Sequence, residues 1–403
     1  MPAEHPRPRP GALRDVALEF LRLGLTSFGG PVAHLGYFRQ TFVERRKWLD
    51  EAEYADLVAL CQFLPGPASS QVGIGIGFRQ AGYPGALAAW VGFTAPSVVL
   101  LLAFAYGIGQ FHDLVGSGLL HGLKIAALAV VALAVWNMAK NLAPDRPRRA
   151  IAVLAAVAVL LIPNSLAQIA VLGLAGLWGI VRHKDAAPAA PPGEEIRLGN
   201  RAVARLLLAL FVALLIVLPL LAAATGDPAL RVADQFYRAG ALVFGGGHLV
   251  LPLLQAQLVP DFLSRDTFLA GYGAAQAVPG PLFSFAAFAG AELDRPPNGL
   301  PGALLALGAI YLPSFLLVLG ALPFWTRLRR NARLRSGLDA ANAAVVGLLI
   351  AALYDPVFVA AVEKPRDLAV ALLALAALAL LRLPPWLVVV LSAAAGYGLS
   401  LIP

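Results

Sequence analysis

Apolar stretches that approach the twenty residues needed to cross a bilayer recur along the whole chain. They fall at 15–36, 55–80, 85–110, 118–140, 149–163, 166–182, 201–224, 233–258, 267–292, 300–324, 336–360, 367–382 and 384–402. A soluble domain is nearer half apolar and a quarter charged; here 59% of the 403 residues are hydrophobic and 13% are charged. The expected fold class is an all-α polytopic membrane protein, with the lipid bilayer as its surroundings. The 39 glycines and 31 prolines are too many for plain helices. They predict broken or re-entrant segments, which survive in a membrane only when buried in protein or lining a wet cavity.

The net charge of +8 is not a nucleic-acid signal, because much of it lies in short loops where it sets orientation. Cys61 is the single cysteine, so no intrachain disulfide and no cysteine metal site is expected. The six histidines form no HxxxH or HExxH pair, and no motif for a metal or other cofactor occurs. No Walker A sequence is present, and "GIGIG" (73–77) lacks the strand and βαβ unit of a dinucleotide loop. The Pro- and Arg-rich stretch 1–14 lacks the apolar core of a signal peptide and is expected to be a cytoplasmic tail.

The chain repeats itself. "FLRLGLTSFGG" (20–30) matches "FYRAGALVFGG" (236–246), and "QFLPGP" (62–67) matches "QAVPGP" (276–281). "PGALAAWVGFTAPS" (84–97) matches "PGALLALGAIYLPS" (301–314), and "GLKIAALAVV" (122–131) matches "GLDAANAAVV" (337–346). Four landmarks in one order at nearly constant offset indicate two homologous halves. The expected organisation is a first repeat over 15–182, a polar cytoplasmic linker over 183–200, one extra helix over 201–224 and a second repeat over 225–403. The odd extra helix turns the second half upside down, giving an inverted-topology repeat, the plan of many secondary transporters. The basic loops 140–149 and 325–335 agree with a cytoplasmic N-terminus and linker. Loop 39–54, with Arg39, Arg45, Arg46 and Lys47, agrees only if 15–36 and 55–80 are re-entrant hairpins.

The helix breaks are the candidate site. Gly29 and Gly30 accept backbone conformations closed to other residues, and Pro31 suits the first turn of a new helix. The free N–H groups of such a start attract anions. Thr26 and Ser27 stand just before it. Pro65–Gly66 and Pro279–Gly280 lie in two Pro-Gly-Pro breaks, preceded at equal spacing by Gln62 and Gln276; Ser69 and Ser70 follow the first. Gly245 and Gly246 repeat the first break, without its hydroxyls or proline. Arg22 and Arg238 occupy matched positions inside apolar segments, where a cation is costly unless paired or beside a wet cavity. All of these are expected to contact substrate. Lys124 and Asp339, also matched, are a candidate coupling pair, and His34 and His248 candidate cavity residues. Each motif has a plainer reading: glycine pairs let helices pack closely and arginines snorkel. Duplication of the breaks favours a site. No nucleophile–base arrangement stands out, which leaves a membrane-embedded lipid enzyme as a remote alternative.

With "FGGP" (28–31), "ERRKWLDEAEYADLVALCQFLPGP" (44–67), "FGGG" (244–247) and "QAVPGP" (276–281) in view, the chain resembles the chromate transporter (CHR) family in its long, two-domain form. That resemblance implies an inner-membrane protein, no enzyme, that exports chromate and confers resistance. It also implies competition by sulfate, a similar tetrahedral dianion, and sulfate or another oxyanion is the alternative cargo. The sequence leaves the oligomeric state open, a homodimer being one option. The second half departs from the first: Gly247 stands in place of Pro31, Leu242 and Val243 in place of Thr26 and Ser27, and Phe283 in place of Ser69.

Overall fold

A computed structural model describes residues 11–162, 164–182, 199–243, 250–328 and 331–401. Among these the structure is helical throughout. In order the helices are α1 (Ala12–Thr26), α2 (Gly30–Phe38), α3 (Glu51–Phe63), α4 (Ala68–Leu142), α5 (Arg146–Leu161), α6 (Ser165–Val181) and α7 (Arg201–Thr225). Then come α8 (Pro228–Leu242), α9 (Val250–Leu258), α10 (Arg265–Ala275), α11 (Phe285–Ala291), α12 (Gly299–Ala321) and α13 (Trp325–Leu328). The last four are α14 (Ala332–Ala352), α15 (Val359–Ala361), α16 (Pro365–Ala379) and α17 (Pro385–Ser400). Polar residues at the ends of the apolar runs start these helices. The Asp50 carboxylate accepts from the Glu53 N–H at 2.8 Å, while the Glu53 carboxylate accepts from the Asp50 N–H at 3.1 Å, a capping box. Asp145, Asn164 and Asn331 cap α5, α6 and α14 more simply, each side chain accepting from the N–H three residues on.

Each half begins with two hairpins that do not cross. A continuous helix would separate Phe20 from Phe42 by about 33 Å at 1.5 Å per residue. Their rings instead stack with centroids 4.9 Å apart, and Glu19 pairs with Arg46. The chain therefore enters along α1, breaks at 27–29 and returns along α2. In the second hairpin, Arg79 meets Glu53 at 2.6 Å, so α3 and the first limb of α4 lie side by side with the Pro-Gly-Pro break at their tip. The second half repeats the arrangement: Gln235 donates to the Gln257 carbonyl at 3.0 Å across α8 and α9, and Phe268 packs edge-on against Phe285 at 5.1 Å across α10 and α11. Segments 15–36, 55–80 and 267–292 are thus hairpins, α8 and α9 lie side by side, and loop 39–54 lies at the same end as residues 11–19.

A long helix follows each pair. At Gly82 (φ 64°) the α4 run folds back, so tightly that a Cβ on Gly77 would overlap the Gly85 carbonyl; Gly290 and Gly302 meet in the same way before α12. The run folds back again between its spans Ala68–Gly107 and Gly118–Leu142, since Phe104 shares one apolar cluster with Leu119, Leu120 and Leu123.

The two long helices oppose one another. Gly299, at the start of α12, lies beside the Tyr106 hydroxyl near the end of residues 83–107. Midway, Trp90 packs against Tyr311 at 5.5 Å. At the far end, Pro323 and Phe78 both approach Gly199. The halves are therefore an inverted repeat, with the first pair of hairpins based at one end of the molecule and the second pair at the other. Helix α7 supplies the odd crossing; only 6% of its most apolar window is buried, as suits a helix facing lipid. Around the core, α14 packs between α5 and α6, with Gly347 against Ala152 and Ala155, and Gly179 against Ser336.

Candidate functional site

The four hairpin tips meet at the centre of the molecule through two matching hydrogen bonds. The Gly280 N–H donates to the Ser27 carbonyl at 2.9 Å, and the Gly66 N–H donates to the Val243 carbonyl at 2.6 Å. Val243 is the repeat counterpart of Ser27 (shift 216) and Gly280 that of Gly66 (shift 214). The same bond is therefore made twice, each time joining the first tip of one half to the second tip of the other. Only glycine lets the backbones approach this way. A Cβ on Gly66 would overlap the Gln71 carboxamide and sit 3.0 Å from Ser314 Oγ; one on Gly280 would sit 3.1 Å from the Phe93 carbonyl and 3.2 Å from Ser97 Oγ.

Buried hydroxyls surround this junction. Ser97 and Ser314 are repeat counterparts, as are Thr94 and Tyr311 (shift 217 for both). The Tyr311 hydroxyl faces Ser70 and Thr94, and the buried hydroxyls of Ser27 and Ser314 find no hydrogen-bond partner among the described residues. His34 ties the first-half tips together, with Nε2 3.2 Å from the Ser27 carbonyl and Nδ1 3.4 Å from Ser69 Oγ. These polar groups sit in the core at membrane depth, where unsatisfied groups are costly. Such concentrations are expected along a polar path.

A cavity of about 500 Å³ opens from the junction toward the end where loop 39–54 lies. It is lined by Gly29, Gly30, Asn137, Asn141, Gln276 and Gly280, among mostly apolar neighbours. At roughly 30 Å³ per water it has room for a hydrated small ion. Gly29 and Gly30 take left-handed φ of 101° and 77°, which turns the start of α2, with its unpaired N–H groups, to the cavity wall. The Gln276 Nε2 is buried, with the Tyr272 side chain beside it. The donors offered here are amides, fixed dipoles that suit an oxyanion, and among the described residues no cationic side chain lines this cavity.

The structure sorts the expected site residues. Gly29, Gly30, Gln276 and Gly280 line the cavity; Ser27, Ser69 and Ser70 are buried at the junction beside it. Gly66 and Gly280 spend their N–H groups on joining the halves. Pro65 accepts from Gln71 Nε2 at 2.7 Å, and Pro279 is buried. Thr26 is exposed, and its hydroxyl donates to the Arg22 carbonyl at 2.8 Å, which removes its one proton from service to an anion. Gln62 and Arg22 are exposed. Arg238 is paired with buried Asp234 one turn earlier, so its charge is met within its own helix. Lys124 and Asp339 are not partners: Lys124 binds Asp266 at 3.0 Å, and Asp339 lies 3.8 Å from Arg148. Equivalent residues of an inverted repeat fall at opposite ends of the molecule unless they lie near its centre. Gly245, Gly246 and His248 lie outside the described residues. Sequence reasoning missed Thr94, Ser97, Tyr311 and Ser314, whose signal was the matched "TAPS" and "YLPS", and missed Asn137 and Asn141, which no repeat marks.

Comparison with known proteins adds an independent line. The family model for chromate transporters matches residues 14–180 and 230–397, one copy for each half. The chromate transport protein of Cupriavidus metallidurans is 30% identical over 380 residues, covering 92% of this chain and 88% of that one. The probable chromate transport protein of Synechococcus elongatus is 28% identical over 396 residues, 96% of this chain and 95% of that one. The chromate transport protein of Pseudomonas aeruginosa is 28% identical over 379 residues, 89% and 84% respectively. No solved structure matches the chain. With both halves matched and an inverted pair of hairpin repeats meeting at a central cavity, this chain belongs to the chromate transporter family.

Proposed function

We propose that the protein is a secondary transporter that carries chromate out of the cytoplasm. The observation that carries this reading is the cavity at the junction of the halves, where the start of α2, Asn137, Asn141 and Gln276 converge. Transport names among full-length relatives support chromate as cargo. Backbone and carboxamide N–H groups read charge and shape rather than the central atom, so sulfate competes for the same site.

Direction follows from charge. The basic loops 39–54, 140–149 and 325–335 gather at one end, which the positive-inside rule makes cytoplasmic. The cavity then opens inward, in the inner membrane of a bacterium. A dianion leaving a negative interior gains about 2.3 kcal/mol per charge per 100 mV. Across roughly 150 mV that is about 7 kcal/mol, enough for an outward gradient of about five decades. Export needs no counter-ion on this account, and it lowers internal chromate enough to confer resistance.

The test is growth of a chromate-sensitive strain expressing the protein, over a range of chromate with sulfate varied. Resistance that weakens as cytoplasmic sulfate rises is expected. Sensitivity unchanged by expression, with the protein present in the membrane, overturns the assignment of cargo and direction.

A further inference from the structure

A second cavity, of about 580 Å³, lies at the opposite end from the first; His121, Lys124, Asp266, Glu363 and Asp367 are among its lining residues. The same four elements wall both cavities. On α4, Gly118 to Lys124 line this one and Val130 to Leu142 the other; α10 with the break after it, α16 and α17 divide likewise. From Lys124 to Val130 is about 9 Å of helix. Between them lies an apolar layer of Leu123, Ala126, Val389 and Ala393, with Ala274 and Ala277 packed against it. The two cavities thus face each other across one apolar layer, to which Phe104, Leu119 and Leu120 also belong.

The outer chamber holds an unusual ion pair. The Lys124 side chain is 9% exposed, while that of its partner Asp266 is 73% exposed. The pair joins the first half (α4) to the second (α10). A buried ammonium cannot afford to stand alone, whereas an exposed carboxylate rehydrates at little cost. His121 is already held between Glu363 (3.6 Å) and Asp367 (3.4 Å), and Lys364 is exposed. Arg366 also lines this cavity but is half-buried; Lys124, two residues from Ala126 of the apolar layer, is the buried cation that an emerging ion meets first.

We propose that Lys124 is an exit station for the transported dianion, and that Asp266 is its exchangeable lid. A tetrahedral dianion arriving through the layer displaces the Asp266 carboxylate from Lys124 Nζ. The returning carboxylate then expels it to the outside. This rests on the export reading above.

Paired vesicle preparations test it with radiolabelled chromate as probe. Right-side-out vesicles held inside-positive run the carrier backward, so their KM for external chromate reads the outer chamber; everted vesicles read the inner one. Lys124→Gln is expected to raise the external KM roughly tenfold to hundredfold, the worth of a hydrogen bond to a charged group. The inner KM changes less than about twofold on the same reasoning, because the inner amides are untouched. Lys124→Arg retains most of the external affinity. Asp266→Asn, which removes the competitor, lowers the external KM several-fold. A purely structural clamp would instead weaken both variants in the same direction and at both faces, and that result overturns the proposal. If Lys124→Gln fails to reach the membrane, Asp266→Asn decides alone: a lower external KM supports the station and an unchanged one overturns it. Wild-type vesicles that carry no chromate in either orientation overturn the export reading and this proposal with it.

Discussion

Replacing Gly66 by alanine tests whether the crossed tip bonds hold the halves together. Gly66 has φ of 127°, a region that costs other residues about 1–3 kcal/mol. The new Cβ would also overlap the Gln71 carboxamide. Gln71 must then leave its 2.7 Å bond to the Pro65 carbonyl, a loss of about 0.5–1.5 kcal/mol. The sum is a destabilisation of about 2–4 kcal/mol, before any loss of the Gly66–Val243 bond between halves. Purified protein unfolded reversibly in SDS, with the wild type and Gly173→Ala alongside, measures it. Gly173 lies in α6 with nothing within 4 Å of an added Cβ, so its alanine variant should match or slightly exceed the wild type. If Gly66→Ala is no less stable than Gly173→Ala, the crossed bonds are not what positions the tips.

Three further outcomes follow from the same geometry. Gly29→Leu, forced onto a left-handed φ of 101° with its Cβ 3.1 Å from that of Ala33, is expected to reach the membrane at normal abundance but lose chromate uptake in everted vesicles. Asn137→Asp sets a carboxylate in the wall of the inner cavity; at an effective dielectric near 20 and about 8 Å, repulsion of a dianion is on the order of 4 kcal/mol, so the KM for chromate should rise well over tenfold. Lys47→Cys in a Cys61→Ser background should react with an impermeant thiol reagent only from the cytoplasmic face. Labelling from outside would invalidate the hairpin topology of the first half.

The breaks were legible in the sequence because glycine and proline act locally: a Pro-Gly-Pro or a Gly-Gly-Pro interrupts a helix wherever it lies. Repetition of four landmarks and one odd helix were enough to give the inverted plan, and the basic loop 39–54 was enough to demand hairpins. Partners were not legible, because they depend on how two inverted halves dock. Matching Lys124 to Asp339 by repeat position failed for that reason: both lie far from the centre, where symmetry separates equivalents. Ser97 and Ser314 show the opposite case. They lie near the centre, and each ends beside the Pro-Gly-Pro glycine of the other half. Thr26 was a plausible ligand from its place before the break, but a threonine ending a helix has a carbonyl four residues back within reach, and it uses it. Asn137 and Asn141 carried no signal because a single amide on an apolar helix is indistinguishable, in sequence, from a surface residue.

The central claim, outward movement of chromate driven by the membrane potential, is tested most directly in everted vesicles. A potassium gradient with valinomycin makes the lumen positive, the polarity that favours export in the cell. Uptake of radiolabelled chromate should rise steeply with this potential, as two net charges cross, and vanish in Gly29→Leu vesicles. Uptake that ignores the potential, or equals that of vesicles lacking the protein, would contradict the account.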